Sequence, residues 1–322
     1  MLRRSPRPAL LPMVALVLAA AACDDAAPPV APSAASPDAP RFAKASTRPT
    51  GKGIGTIDTK GDRTHQKVEY HGGPVLTATP TVYVIWYGFW RDHPAVPILT
   101  DFLTSVGGSS YFSINTLYQD ANGGAPSGGL AYGGSVDDWY SLGTVLSDAD
   151  VGIVASLPAS SGQLPIDPNG IYVVFTSSDV DVTSGLAASY CGYHGVTSAN
   201  SVTLPYILVG AASRAGTKCG YRYPSPNGSG DGDAMASILA AELSNTLTDP
   251  WFTGWYDRFG LEPADKCAWS YGTTYTTTNG ARANVHLGGR DYLLQQLWIP
   301  GGRAGVCALD ASAAAIAAAN AS

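Results

Sequence analysis

The stretch GIYVVFTSSDV at 170–180 decides the fold, together with a second run, LPYILVGAA, at 204–212. Each is apolar and rich in β-branched residues over the length of a strand, without polar alternation. A strand with one wet face alternates, so a strand without alternation is covered on both faces. That is the condition of a central strand in a sheet flanked by helices. TVYVIWYGFW (81–90) reads as a strand, and KVEYHGGPVL (67–76) is expected as another before it, with turn-prone TATP between them. PAVPILTDFLTSV (94–106) has helical spacing through Ile98, Phe102 and Val106, with Pro97 in the first turn. DADVGIVASLP (148–158) reads as a short helix.

Between these elements, 107–135 is Gly- and Ser-rich and is expected to form hairpins and loops. DAMASILAAELSNTL (233–247) is a helix, with Asp233 as its expected N-cap. Met235, Leu239, Leu243 and Leu247 recur every four residues and Ile238 widens the stripe, which is a core-facing pattern. DYLLQQLWIP (291–300) is a late helix or strand, and the Ala-rich tail at 310–322 a frayed helix. Strands interleaved with helices give an α/β (α+β) domain spanning 63–309.

The chain begins with a leader. Arg3, Arg4 and Arg7 precede an apolar run from Leu10 to Ala22, too short for a membrane span, so 1–22 reads as a signal peptide. Cys23 follows Ala20, Ala21 and Ala22, the arrangement of a lipoprotein site in which Cys23 becomes the lipidated first residue. A plain secretory cut nearby is the other reading, and both export the chain to the cell envelope or beyond. Residues 23–62 are dominated by Ala, Pro, Ser and Thr and read as a flexible tether. Apart from Cys23 there are Cys191, Cys219, Cys267 and Cys307, an even count that fits two disulfides in an exported protein. None lies in a C-x-x-C pair, which excludes a zinc ribbon. The formal charge is −6 and the mature part has no Lys/Arg cluster, so nucleic acid is excluded as a partner.

The 233–247 helix also poses a chemical question. An H-E-x-x-H helix sets two zinc ligands four residues apart with a Glu beside the first. Glu242 is present, but the flanking positions hold Ala241 and Asn245. Glu242 falls at the edge of the apolar stripe, where a partly buried carboxylate needs a partner or a proton.

The chain from Val68 to Leu309 resembles the EXORDIUM-like, or phosphate-induced protein 1, family. VEYHGGPVL, VYVIWYG, NGIYVVFTSSDV, YCGYHG, SPNGSGDGDAMASI, NTLTDPWFTGWYD, ADKCAWSYGTTY and GGRDYLLQQLWIP match in the family's order. The resemblance implies an extracellular protein and a zincin-like fold, a twisted mixed sheet packed against two main helices, one of them 233–247. In many bacterial relatives His-Glu-x-x-Glu precedes TDP, which places their His at Ala241, the first Glu at Glu242 and the second at Asn245. Asp265 is then a vestigial downstream ligand, or a turn residue beside a disulfide. A methyl group offers no lone pair, and a neutral amide is a poor zinc ligand. Loss of both ligands removes most of the roughly 10–16 kcal/mol available at a structural zinc site. The expectation is therefore no metal, no cofactor and no catalytic residue. The alternative is a metal-dependent peptidase with Glu242 as general base and zinc on other ligands.

The resemblance also implies the disulfide pairing. Relatives carry one further Cys before CGxHG and another near position 222, and both are absent here, which leaves Cys191–Cys219 and Cys267–Cys307. Other constellations fall short. Cys191 and His194 sit in a turn-rich segment with the thiol oxidised. His71-Gly72-Gly73 has no G-x-S-x-G partner. Asp231 and Asp233 do not complete a calcium loop. Trp86, Tyr87, Trp90, Trp251, Trp255 and Tyr256 are candidates for a glycan platform, with Trp251, Trp255 and Tyr256 as the expected binding surface and the first three more in keeping with a core. The expected partners are the membrane, through Cys23, and a wall polysaccharide or a protein.

Overall fold

A computed structural model describes residues 66–302 and 304–321. The leader, Cys23 and the tether at 23–62 lie outside the described residues.

Five strands form the central sheet: β1 (Thr81–Tyr87), β2 (Ala131–Asp138), β3 (Gly170–Thr176), β4 (Gly192–Ala199) and β5 (Val202–Gly210). Their order is β2-β1-β3-β5-β4, parallel except for β4, which runs antiparallel to β5 at one edge. The apolar runs are the interior strands, as their lack of alternation requires. Val82, Val84 and Trp86 of β1 face one core, while Tyr83, Ile85 and Tyr87 face a second. Ile171, Val173 and Phe175 of β3 divide from Tyr172 and Val174 in the same way.

Among the described residues four α-helices accompany the sheet: α1 (Ala95–Ser105), α2 (Asp148–Ser160), α3 (Gly230–Thr248) and α4 (Ala313–Ala321). Helices α1 and α3 pack together in the first core, and α2 packs in the second. Helix α2 starts with a reciprocal cap: Asp150 N donates to Ser147 Oγ at 3.2 Å and Ser147 N donates to Asp150 Oδ2 at 2.7 Å. The sheet is thus mixed, with its interior strands β1, β3 and β5 covered on both faces, an α/β architecture.

Several local expectations are corrected. Only Glu69–Tyr70 of the segment 67–76 is a strand, paired with Trp255–Tyr256. The 107–135 region contains no hairpin: Phe112–Leu117 is a 3-10 helix, and Ala131 begins the parallel strand β2. Residues 192–199, read as turn-rich, are strand β4. Helix α3 begins at Gly230, not Asp233, and its N-cap is Ser229, whose hydroxyl accepts from Gly232 N at 3.1 Å. Asp233 lies inside the first turn and holds the preceding loop, accepting from Asn227 N at 2.8 Å and Asn227 Nδ2 at 2.6 Å. The late segment resolves as strand Leu297–Ile299 against Val306–Ala308.

Both inferred disulfides are present, Cys191–Cys219 and Cys267–Cys307. The first ties the entry of β4 to the loop before α3. The second ties the loop after α3 to the strand at Val306–Ala308.

Candidate functional site

Every residue of α3 is buried, so the apolar stripe is only part of what this helix covers. Glu242 is not at a wet edge, as its place beside the stripe predicts; it is 0% exposed. Its polar neighbours on the helix are satisfied: Ser244 Oγ donates to Asn115 Oδ1 at 2.7 Å, and Thr246 and Thr248 bond back to the helix carbonyls.

The group facing Glu242 comes from β4. Strand alternation sends Tyr193 to the α2 side and leaves Gly192 and His194 facing α3. Gly192 permits the approach: a Cβ there would stand 2.7 Å from Ile238 Cγ2 and 2.8 Å from the Leu208 carbonyl. His194, two residues on, is fully buried with Nδ1 3.6 Å from Glu242 Oε2. Its other nitrogen, Nε2, lies 3.3 Å from the Asp249 carbonyl and 3.4 Å from Glu262 Oε1. A carbonyl only accepts, so Nε2 carries the hydrogen, and Nδ1 of the neutral ring presents its lone pair to Glu242. The Phe252 ring stacks on the imidazole at 4.7 Å.

Asp265 closes the cluster. Asn245 Nδ2 donates to Asp265 Oδ1 at 3.1 Å, and Ala264 N donates to Asn245 Oδ1 at 2.9 Å. Glu262 N donates to Asp265 Oδ2 at 3.1 Å. Next to it, Lys266 Nζ donates to Asp257 Oδ2 at 2.8 Å within a fully buried ion pair.

The electrostatics follow from burial. Desolvation raises the Glu242 carboxyl well above the usual range, and the nearby Asp265 charge adds to this. Glu262 is raised in the same way, by burial first and then by Asp249, Asp265 and Glu242. Burial pushes Asp265 up to about 6 against the hydrogen bonds from Glu262 and Asn245. Burial lowers His194 to about 4, against a smaller opposing effect of the Asp249 carbonyl. The carboxyl oxygens of Glu242 and Glu262 have no hydrogen-bond partner among the described residues. A proton on Glu242 aimed at His194 Nδ1 is the arrangement that leaves least charge unpaired.

A catalytic zinc does not fit this donor set. The two nitrogens of His194 point to different carboxyls, one already donates to a carbonyl, and both ends of the Asn245 amide are taken. Among the described residues no group of three or more His, Cys, Asp or Glu is arranged to hold a metal ion.

Sequence reasoning placed Glu242 and Asp265 in one region, and the structure brings them together. It missed His194 and Glu262 as their companions. The signal for His194 lay in YCGYHG, where the i, i+2 relation of Gly192 and His194 is that of one strand face. Glu262 carried no signal of its own. Trp86, Tyr87 and Trp90 are core. Trp251, Trp255 and Tyr256 are half-buried; Trp255 packs on Tyr70 and Tyr118, and Tyr256 stacks on His71 at 3.6 Å. Asp231 is used structurally, accepting from Ser213 N at 2.6 Å.

Fold and cluster together define a class, an α/β domain with a sheet between two cores and a sealed carboxyl–imidazole cluster under its longest helix. The chain belongs to the phosphate-induced protein 1, or EXORDIUM-like, family: the model of the phosphate-induced protein 1 conserved region matches residues 68–307. It is 33% identical over 272 residues to Protein EXORDIUM-like 3 of Arabidopsis thaliana, covering 72% of this chain and 80% of that one. It is 30% identical to Protein EXORDIUM-like 5 of the same plant, with 72% and 75% covered. It is 27% identical to Protein PHOSPHATE-INDUCED 1 of Nicotiana tabacum, with 73% and 86% covered. No solved structure matches the chain significantly.

Proposed function

We propose that this protein is an exported, non-catalytic binding protein, held at a bacterial cell envelope by a lipid on Cys23, that engages a wall component or a protein partner. The observation that carries the non-catalytic part is the sealing of Glu242: a general base must reach the proton it removes, and this carboxyl is shut under α3 with no solvent at its oxygens. The two disulfides support maturation in an oxidising compartment. Among the described residues no helix is long and apolar enough to cross a membrane; the assignment of the attachment to Cys23 rests on its place after Ala20, Ala21 and Ala22.

Metal content, turnover and fractionation test the reading. Protein purified without chelator is expected to carry less than stoichiometric zinc and to cleave neither casein nor peptidoglycan. About one zinc per chain, with activity lost on Glu242→Gln, would replace this reading by the metallopeptidase. Cys23→Ser is expected to move the protein from the membrane fraction to the soluble fraction, and an unchanged distribution removes the anchor.

A further inference from the structure

The connections of the sheet part at one place. From β1 the chain passes through α1 to β2 on one side, then through α2 to β3 on the other side of β1. Helices α1 and α2 lie in opposite cores. In a sheet of this kind the loops leaving two neighbouring parallel strands diverge, and the crevice between their carboxyl ends is where ligands bind.

Here the segments following β1 and β3 bound a cleft of about 340 Å³, lined by Phe89, His93, Tyr140, Ser177 and Asp179 among others. Its floor is fixed by short bonds. Asp179 accepts from Ser177 Oγ at 2.6 Å and from Tyr140 OH at 2.9 Å, and Ser177 Oγ accepts from Phe89 N at 3.2 Å. Gly88, with φ +102°, makes the approach possible, since a Cβ there would fall 1.9 Å from Ser177 Oγ. At the other wall His93 Nδ1 accepts from Ala95 N at 3.3 Å, so the Nε2 hydrogen is directed outward, 4.0 Å from Asp231 Oδ2. That gap is too long for a direct hydrogen bond and suits a bridging hydroxyl.

Outside the lining, Phe89 meets a second large ring. Phe89 is 54% exposed and Trp139 53% exposed, and the two rings meet edge to face at 5.8 Å. Arg91 lies over the Trp139 ring at 5.4 Å. Two adjacent exposed rings are available to stack on a ligand.

The chemistry selects the ligand. No small-residue turn of the kind that cradles phosphate with backbone N–H groups follows β1, where the chain has Phe89-Trp90-Arg91-Asp92. Asp179 and Asp231 oppose an anion. A sugar ring offers what the site can use, a C–H face for an aromatic ring and hydroxyls for carboxylate, imidazole and hydroxyl groups. We propose that this cleft binds a neutral oligosaccharide segment of a wall polysaccharide, stacked on Phe89 and Trp139 with its hydroxyls at Asp179 and His93. The proposal rests on the binding reading above and names its ligand class and place.

Calorimetric titration of the full-length protein with cellohexaose and with chitohexaose tests it. At least one hexasaccharide is expected to bind, with Phe89→Ala and Trp139→Ala each weakening it tenfold or more and Asp179→Asn weakening it severalfold. Both rings are exposed, so the aromatic variants should keep the wild-type melting temperature, which separates lost contact from lost fold. No binding of either sugar, or binding unchanged in both aromatic variants, overturns the assignment. Hexasaccharide hydrolysis that disappears in Glu242→Gln overturns the non-catalytic reading alone, because that variant should still bind.

Discussion

The side chain of Asn245 donates to Asp265 in the buried interior of the domain, 3.1 Å from nitrogen to oxygen. The amide suits a site without a cation, because it can donate to a carboxyl that another carboxylate would repel. Asn245→Asp should therefore destabilise the domain, by about 2–4 kcal/mol at neutral pH, through a lost donor and an added buried charge. Urea midpoints report this. A variant as stable as the parent would mean that the Asp265 carboxyl is already neutralised by another group.

The buried carboxyls give a pH dependence whose sign can be worked out. Glu242 and Glu262 are raised well above the ordinary range and Asp265 to about 6, so the folded state holds protons that the unfolded chain releases above about pH 4. Their contribution is complete below that value and is lost as pH rises through the folded values. His194, lowered to about 4, acts in the opposite sense, its contribution present above about pH 6.5 and lost as pH falls toward 4. Asp265 and His194 offset each other between about pH 4 and 6, leaving the glutamates to set the trend above it. Stability should fall as pH rises above about 6.5, and Glu242→Gln should flatten the fall. Denaturant midpoints across this range check it, and a wild-type curve as flat as the variant's removes the explanation.

Lys266 and Asp257 form an ion pair closed to solvent on both sides, and Asp257 Oδ1 also accepts from Phe259 N at 2.8 Å and Leu261 N at 3.0 Å. Removing one partner leaves a charge without water. Lys266→Met should cost about 3–5 kcal/mol. The double variant Lys266→Met/Asp257→Asn should recover part of this, because the carboxamide oxygen still accepts from the backbone while no charge is stranded. Equal losses in the single and double variants would show that packing of the Lys266 stem dominates.

The disulfides close loops with sequence separations of 28 and 40 residues. Cys191→Ser/Cys219→Ser and Cys267→Ser/Cys307→Ser should each lose about 3–4 kcal/mol, chiefly through a freer unfolded chain. Thermal unfolding of each pair variant measures the loss. A much smaller loss for the first pair would indicate that β4 is held in place by α3 alone.

The interior of the fold was legible because its strands bury both faces and must therefore be apolar throughout. Ile98, Phe102 and Val106 similarly declared α1. The sheet edges were not. Strand β2 is built on Gly133, Gly134 and Ser135 with an exposed face, and its alternation between exposed and half-buried positions involves few large residues. Strand β4 contains Gly192 and Gly195, small because Ile238 and Tyr206 press against them, and small residues read as turn. The candidate cluster was half legible for a related reason. Helical spacing marks Glu242, whereas the approach of His194 and Glu262 depends on tertiary folding. The exposed Phe89–Trp139 pair was hidden as well, since adjacent aromatics in a strand-like run look like core until the loop lifts one of them out.

Helix α3 has no solvent side along its whole length. A side chain at 241 or 245 is therefore judged first by shape and charge compensation, whatever chemistry it offers. Placing an imidazole at 241 would require new volume inside a filled interior, and placing a carboxylate at 245 would require a counter-charge before any ion arrived. A metal site at this place would therefore need several coordinated substitutions and not one or two.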